Sequence, residues 1–232
     1  MVFLVSADEP YYPCKSYIGF YYDDSNVLSY ANFKTQMNFI KTAIANLNNP
    51  QRIAAEGGYG GEFTWNSKLS ITQMQSALNL AEQISISYSL LAQFSSLATN
   101  FENLNDYYNL FGVLIFISDT SDTALKNADR LLSKLKGIRL TFVLLGPNVD
   151  SSKLTNFSSN FIYWPDLTQP QPDSWDLLSY HAYGCDTPIG TTTPAPGSYY
   201  PCQNWITVLA DNSNKLTAAQ FQVNYSSIFN TK

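Results

Sequence analysis

Three features of the sequence predict an α/β fold, a doubly wound, open, mostly parallel sheet with helices on both faces. Strand-like and helix-like segments alternate along most of the chain from Cys14 onward. VLIFISD (113–119) opens with five consecutive apolar residues, and IRLTFVLLG (138–146) is a second such run. Runs of this kind suit central strands covered on both sides. The helix-like segments carry single apolar stripes at steps of three and four, as helices lying on a sheet require.

Each element has its own signal. Residues 17–22 read as the first strand. Residues 30–47 read as the first helix, with Phe33, Met37, Ile40, Ile44 and Leu47 on one face and Ser29 at the N-cap. Residues 52–55 and 63–65 flank the turn GGYGG and read as a strand pair. Ser70 is placed to cap a helix whose stripe is Met74, Ala77, Leu78, Ala81 and Ile84, and Tyr88, Leu91, Phe94 and Leu97 mark another. Leu125, Ala128, Leu132 and Leu135 form the next stripe, with Gly137 where a helix-ending glycine belongs. A short helix, a short strand at 161–163 and a last helix over 174–183 complete the pattern.

The totals narrow the function classes. Of 232 residues, 45% are hydrophobic and only 13% charged, which is globular rather than disordered composition. The net charge of −5 lacks the basic footprint of a nucleic-acid binder. No apolar run approaches the length of a membrane span. The apolar start, MVFLVSA, is too short for the core of an ordinary signal peptide.

The chain also repeats itself. YYPC occurs at residues 11–14 and again at 199–202. Aligned on that motif without a gap, residues 11–40 and 199–228 share twelve identities, among them Asp23, Ser25, Asn26 and Phe33. Both copies run from Cys through an apolar segment to D-x-S-N and then to a helix, with Thr217 at the second copy's N-cap. DTPIGTTTPAPGS, 186–198, has the Thr, Pro and Gly content of an exposed linker. The expected organisation is a complete domain at 11–185, a linker at 186–198 and the truncated start of a second repeat at 199–232, as in a piece of a tandem array.

Residues 11–185 resemble a von Willebrand factor type A domain. The likeness rests on a strand ending in D-x-S (Asp23-Asp24-Ser25), a later strand ending in Asp119, and the run G-I-x-L-x-F-V-L-L-G beginning at Gly137, in the family's order. The repeat and the flanking cysteines are similar to the extracellular tandem branch of that family, including nematode secreted proteins that pair such domains with C-type lectin modules. The resemblance implies a three-layer, Rossmann-like fold and a disulfide between Cys14 and Cys185, with Cys202 opening the second copy. Three free thiols in a reducing compartment are the alternative.

The family's metal-ion-dependent adhesion site uses a D-x-S-x-S loop, a Thr from a second loop and an Asp from a third. Carried over, this chain keeps Asp23, Ser25 and Asp119, and these are the candidate binding and metal-ligating residues for Mg²⁺ or Mn²⁺, hard ions that prefer oxygen. Val27 stands where the second serine belongs and Met74 where the Thr belongs; Lys215 occupies Val27's place in the second copy. The implied site is degenerate, and its remaining residues have an ordinary alternative use in capping helices and strand ends.

The single histidine, His181, lies in the last predicted helix, and no nucleophile elbow accompanies it. GGYGG is not a dinucleotide fingerprint. Asn156 and Asn224 head N-x-S sequons, candidate glycosylation sites. The reading is a secreted, non-enzymatic adhesion or recognition module that binds an extracellular protein or glycoprotein. A structural spacer repeat with a non-functional metal site is the alternative, and an α/β enzyme the remoter one.

Overall fold

A computed structural model describes residues 11–104 and 109–185. The predicted linker and second repeat, with Cys202 and Asn224, lie outside the described residues. Among the described residues six strands form one sheet in the order β3-β2-β1-β4-β5-β6. They are β1 (Ser16–Tyr21), β2 (Ile53–Glu56), β3 (Gly61–Phe63), β4 (Leu110–Ile117), β5 (Ile138–Leu145) and β6 (Asn160–Trp164). Every pairing is parallel except β2 with β3, which are antiparallel across the GGYGG turn. The helices are α1 (Tyr30–Ala45), α2 (Ile71–Leu80), α3 (Leu90–Leu104), α4 (Asp122–Leu125) and α5 (Trp175–Ala182). None of the described helices is long and apolar enough to cross a membrane.

The strand alternation sorts side chains into two cores. Ile18, Phe20, Ile53, Ala55, Leu114 and Phe116 pack on one face with Phe33, Met37 and Ile40 of α1, Met74 and Leu78 of α2, and Ala182 of α5. Tyr21, Ala54, Val113, Ile115 and Phe142 face the other way, against Phe94 and Leu97 of α3 and Leu135. Strands buried on both faces explain the continuous apolar runs of β4 and β5. Ser29 caps α1 by accepting from Asn32 N at 3.2 Å, and Ser70 with Gln73 forms a capping box on α2.

Two predicted helices end differently. The stripe from Met74 to Ile84 suggests a helix through Ile84, but α2 stops at Leu80. Beyond it the chain bonds outward: Ile84 N donates to Asp24 O at 2.7 Å, and Asn26 N donates to Ile86 O at 3.0 Å. The stripe from Leu125 to Leu135 suggests one helix. Instead α4 ends at Leu125, Asn127 takes the left-handed conformation (φ 63°), and 128–135 winds as a 3₁₀ segment.

At the amino edge of the sheet a disulfide joins Cys14 to Cys185, with Cα atoms 5.7 Å apart. Nearby, Ser16 Oγ donates to Tyr183 O at 2.6 Å. A side chain on Gly112 would strike the Tyr183 backbone at 2.0 Å, so the end of α5 lies directly on β4. Arg52, also buried here, donates to the carbonyls of Tyr12, Cys14 (2.7 Å), Ser16 (3.1 Å) and Asn48 (2.9 Å).

Candidate functional site

Open α/β sheets bind ligands beyond the carboxyl ends of the strands, where the strand order reverses. Here that point lies between β1 and β4, since β2 and β3 extend the sheet one way and β5 and β6 the other. The chain leaves β1 through Asp23 and Ser25 and leaves β4 through Ser118 and Asp119. The three sequence candidates are thus gathered at one edge.

Asp23 is 1% exposed. Gln36 of α1 grips its peptide from both sides: Asp23 N donates to Gln36 Oε1 at 3.0 Å, and Gln36 Nε2 donates to Asp23 O at 2.9 Å. The carboxylate is held as tightly. Oδ1 accepts from Ser25 N at 2.9 Å, and Oδ2 accepts from the Ser118 hydroxyl. Burial pushes this carboxyl up from 3.8 to about 6, against the opposing pull of its Ser118 and Ser25 hydrogen bonds. Ser25 is also buried, and its hydroxyl accepts from Val27 N at 3.4 Å.

Asp119 closes a turn of its own. Oδ1 accepts from Ser121 N at 2.7 Å and Oδ2 from the Ser121 hydroxyl at 3.1 Å. Ser121 in turn caps α4 by accepting from Ala124 N. Asp24 faces the GGYGG turn, where its Oδ2 accepts from Tyr59 N at 3.2 Å.

Sequence reasoning missed the rest of the cluster. The loop 81–89 supplies Tyr88, which is buried, donates to Gln93 Oε1 at 2.7 Å, and has its phenol pushed well up by burial and by the charges of Asp23, Asp119 and Asp24. Gln93 Nε2 reaches the carbonyls of Tyr21, Tyr22 and Phe116 and so ties the ends of β1 and β4 together. Gln36 and Gln93 had a signal: each is a polar residue inside an apolar helical stripe, beside Phe33 and Met37 or Phe94 and Leu97.

The oxygens present do not fit a magnesium-type ion. Asp23 and Asp119 each have both oxygens hydrogen-bonded within the chain. Val27 offers no oxygen, and Met74 is a core residue inside α2. Asp24 faces another structure. A hard cation needs about six oxygens, some of them anionic and free to turn toward it.

A desolvated carboxylate with no Lys or Arg partner among the described residues opposes folding at neutral pH. The rise from 3.8 to about 6 is equivalent to about 3 kcal/mol. For a raised carboxyl, the contribution to stability is full below the unfolded value and is lost as pH rises through about 6. Asp23→Asn retains an acceptor for Ser25 N and turns an amide to Ser118, whose hydroxyl then accepts. The variant is expected to be about 1–2 kcal/mol more stable than the parent at pH 7. Urea unfolding should show that advantage shrinking between pH 6 and 4.

No protein-family model matches the sequence, and no curated protein is significantly similar to it. Solved structures do share its fold. Proximal thread matrix protein 1 from the mussel byssus superposes with a TM-score of 0.60 at 11% identity, over 67% of this chain and 44% of that one. A second structure of that protein, described as having a zinc-occupied MIDAS motif, superposes equally well. A von Willebrand factor type A protein from Catenulispora acidiphila gives 0.57 at 11% identity, covering 73% of this chain and 42% of that one. Manganese-loaded TRAP from Plasmodium vivax gives 0.50 at 15% identity, covering 67% and 72%. This chain therefore spans less than half the length of the byssus and bacterial chains, and two of the similar structures are described as holding a divalent metal. The described part of this chain has the fold of the von Willebrand factor type A domain.

Proposed function

We propose that this chain is a non-enzymatic recognition module of the extracellular space, binding a protein or glycoprotein partner at the carboxyl edge of its sheet without a resident divalent cation. One observation carries the reading: both carboxylate oxygens of Asp23 and of Asp119 are hydrogen-bonded within the chain, which makes this edge a fixed platform. His181 lies at the opposite edge, with Nε2 3.3 Å from Asn160 Oδ1. The Cys14–Cys185 disulfide supports an oxidising compartment. Asn156 is exposed and open to glycosylation. The repeat supports a tandem arrangement, with Cys202 opening the second domain.

The test is saturable binding of the full chain to a panel of purified extracellular proteins and glycoproteins, in EDTA and in Mg²⁺. The expected partner binds equally in both, and binds at least tenfold more weakly to Asp119→Lys. Binding that requires Mg²⁺ contradicts the cation-free reading. The same inward hydrogen bonding also suits a spacer repeat, and the absence of saturable binding across the panel would favour that role.

A further inference from the structure

Beside the candidate site, between the GGYGG turn and α3, lies an open groove of about 470 Å³. That volume is within the range of ligand clefts, roughly 300–1,000 Å³. One wall is the turn, with Tyr59 at 51% exposure. The other is a face of α3 bearing Ser95, Ser96, Thr99 and Asn100 at helical spacing.

The hydrogen bonds of that helical face all run inward. Ser95 Oγ donates to Leu91 O at 2.8 Å, and Thr99 Oγ1 donates to Ser95 O at 2.9 Å. The Ser96 hydroxyl donates to Glu56 Oε2, and Asn100 Nδ2 donates to the same oxygen and to the Tyr21 hydroxyl at 3.1 Å. Each hydroxyl proton is used, and only oxygen lone pairs are left for a ligand. A carboxylate stands behind each wall, Glu56 behind α3 and Asp24 behind the turn, and both residues are 6% exposed. Side chains on Gly57 and Gly61 would lie 2.3 Å from Asp24 Oδ2 and 2.8 Å from Glu56 Oε1, so glycine is what lets both acids come this close to the turn. Among the described residues neither acid has a Lys or Arg partner. Among the described residues, no basic side chain and no large aliphatic one lines the groove.

We infer that this groove takes a basic side chain, the guanidinium of Arg or the ammonium of Lys, from a protein partner. Those groups only donate hydrogen bonds, which matches a wall that only accepts. Two buried carboxylates without a Lys or Arg partner among the described residues favour positive charge nearby, and Tyr59 supplies an exposed aromatic ring at the groove, a group that attracts cations. A neutral sugar hydroxyl both donates and accepts and would use half of this chemistry. The inference rests on the partner being a protein, but its test does not require that partner.

The probe is agmatine, a guanidinium on a short chain, titrated into ¹⁵N-labelled full chain, with methyl glucoside as the neutral comparison. The expected result is saturable shifts of the amides of residues 58–61 and 95–100 with agmatine, weakened by added salt. Tyr59→Ala, a surface change that leaves the fold intact, should weaken binding about threefold, and Glu56→Gln about fivefold. Three results overturn the inference: no localised shifts with agmatine, shifts at these amides with methyl glucoside alone, or an affinity unchanged in Tyr59→Ala. If agmatine fails while the full chain still binds a protein in the panel, the groove is wrong and the recognition reading stands.

Discussion

Replacing both Cys14 and Cys185 with serine is expected to destabilise the domain by about 5 kcal/mol, the chain-entropy value for so long a loop. The bridge spans 171 residues, nearly the whole described domain. It fastens the segment entering β1 to the end of α5. That end is also packed into the core, with Tyr183 edge-on against Phe20 and Trp175, Ser16 Oγ on Tyr183 O, and the tight passage of Tyr183 over Gly112. For a domain of this size the midpoint of thermal unfolding should fall by roughly 10–20 °C. A fall of less than about 3 °C would mean that the packing of α5, and not the bridge, fixes the closed ends.

Arg52→Met is expected to cost about 3 kcal/mol even though it replaces a charge with an apolar chain of similar length. The guanidinium has no carboxylate partner in the described residues. It serves instead as a hub of four donated hydrogen bonds, satisfying carbonyls of Tyr12, Cys14, Ser16 and Asn48. Burial pulls it down to about 10, yet its removal leaves those acceptors unpaired next to the disulfide. Arg52→Lys should recover only part of the loss, because an ammonium has three donors and no planar fork. Urea unfolding of the two variants checks the order: Met lowest, Lys between, wild type highest. Equal stability of all three would refute the hub.

Much of the fold is legible in the sequence because the relevant forces are local or periodic. The runs at β4 and β5 name the central strands. Ser29 and Ser70 mark helix starts through their caps. The stripe gives the core face of α1 and part of that of α3, where Phe94 and Leu97 are buried, Leu91 is only half-buried and Tyr88 lies in the loop before the helix. What is not legible is set by distant backbone. Nothing in Ala81 to Ile84 says that the helix must yield to hydrogen bonds with Asp24 and Asn26. Nothing local to Asn127 says that the Leu125–Leu135 stripe breaks there, although Asn is among the residues that tolerate the left-handed conformation.

The candidate site is legible in position and not in state. D-x-S and the later Asp mark the carboxyl ends of β1 and β4, and the structure gathers Asp23, Ser25 and Asp119 there. How their oxygens are used depends on Ser25, Ser118 and Ser121, while Gln36 and Gln93 hold the backbone around them. Met74 illustrates the limit of reading by register, since the position aligned with a ligating Thr is a core residue of α2. The loop that comes to the site, 81–89, brings the buried phenol of Tyr88.

The most direct measurement is thermal unfolding of the full chain at pH 7, in EDTA and in excess Mn²⁺, for the wild type and for Asp23→Asn. A cation held at 100 times its dissociation constant adds about 2.7 kcal/mol, a rise of roughly 5–10 °C for this size of domain. The account predicts the same midpoint for the wild type in both buffers, and a midpoint for Asp23→Asn that is higher by roughly 2–8 °C. A rise in Mn²⁺ that Asp23→Asn abolishes would contradict it: Asp23 would then be a metal ligand, and its hydrogen bonds to Ser25 and Ser118 would give way when the ion binds.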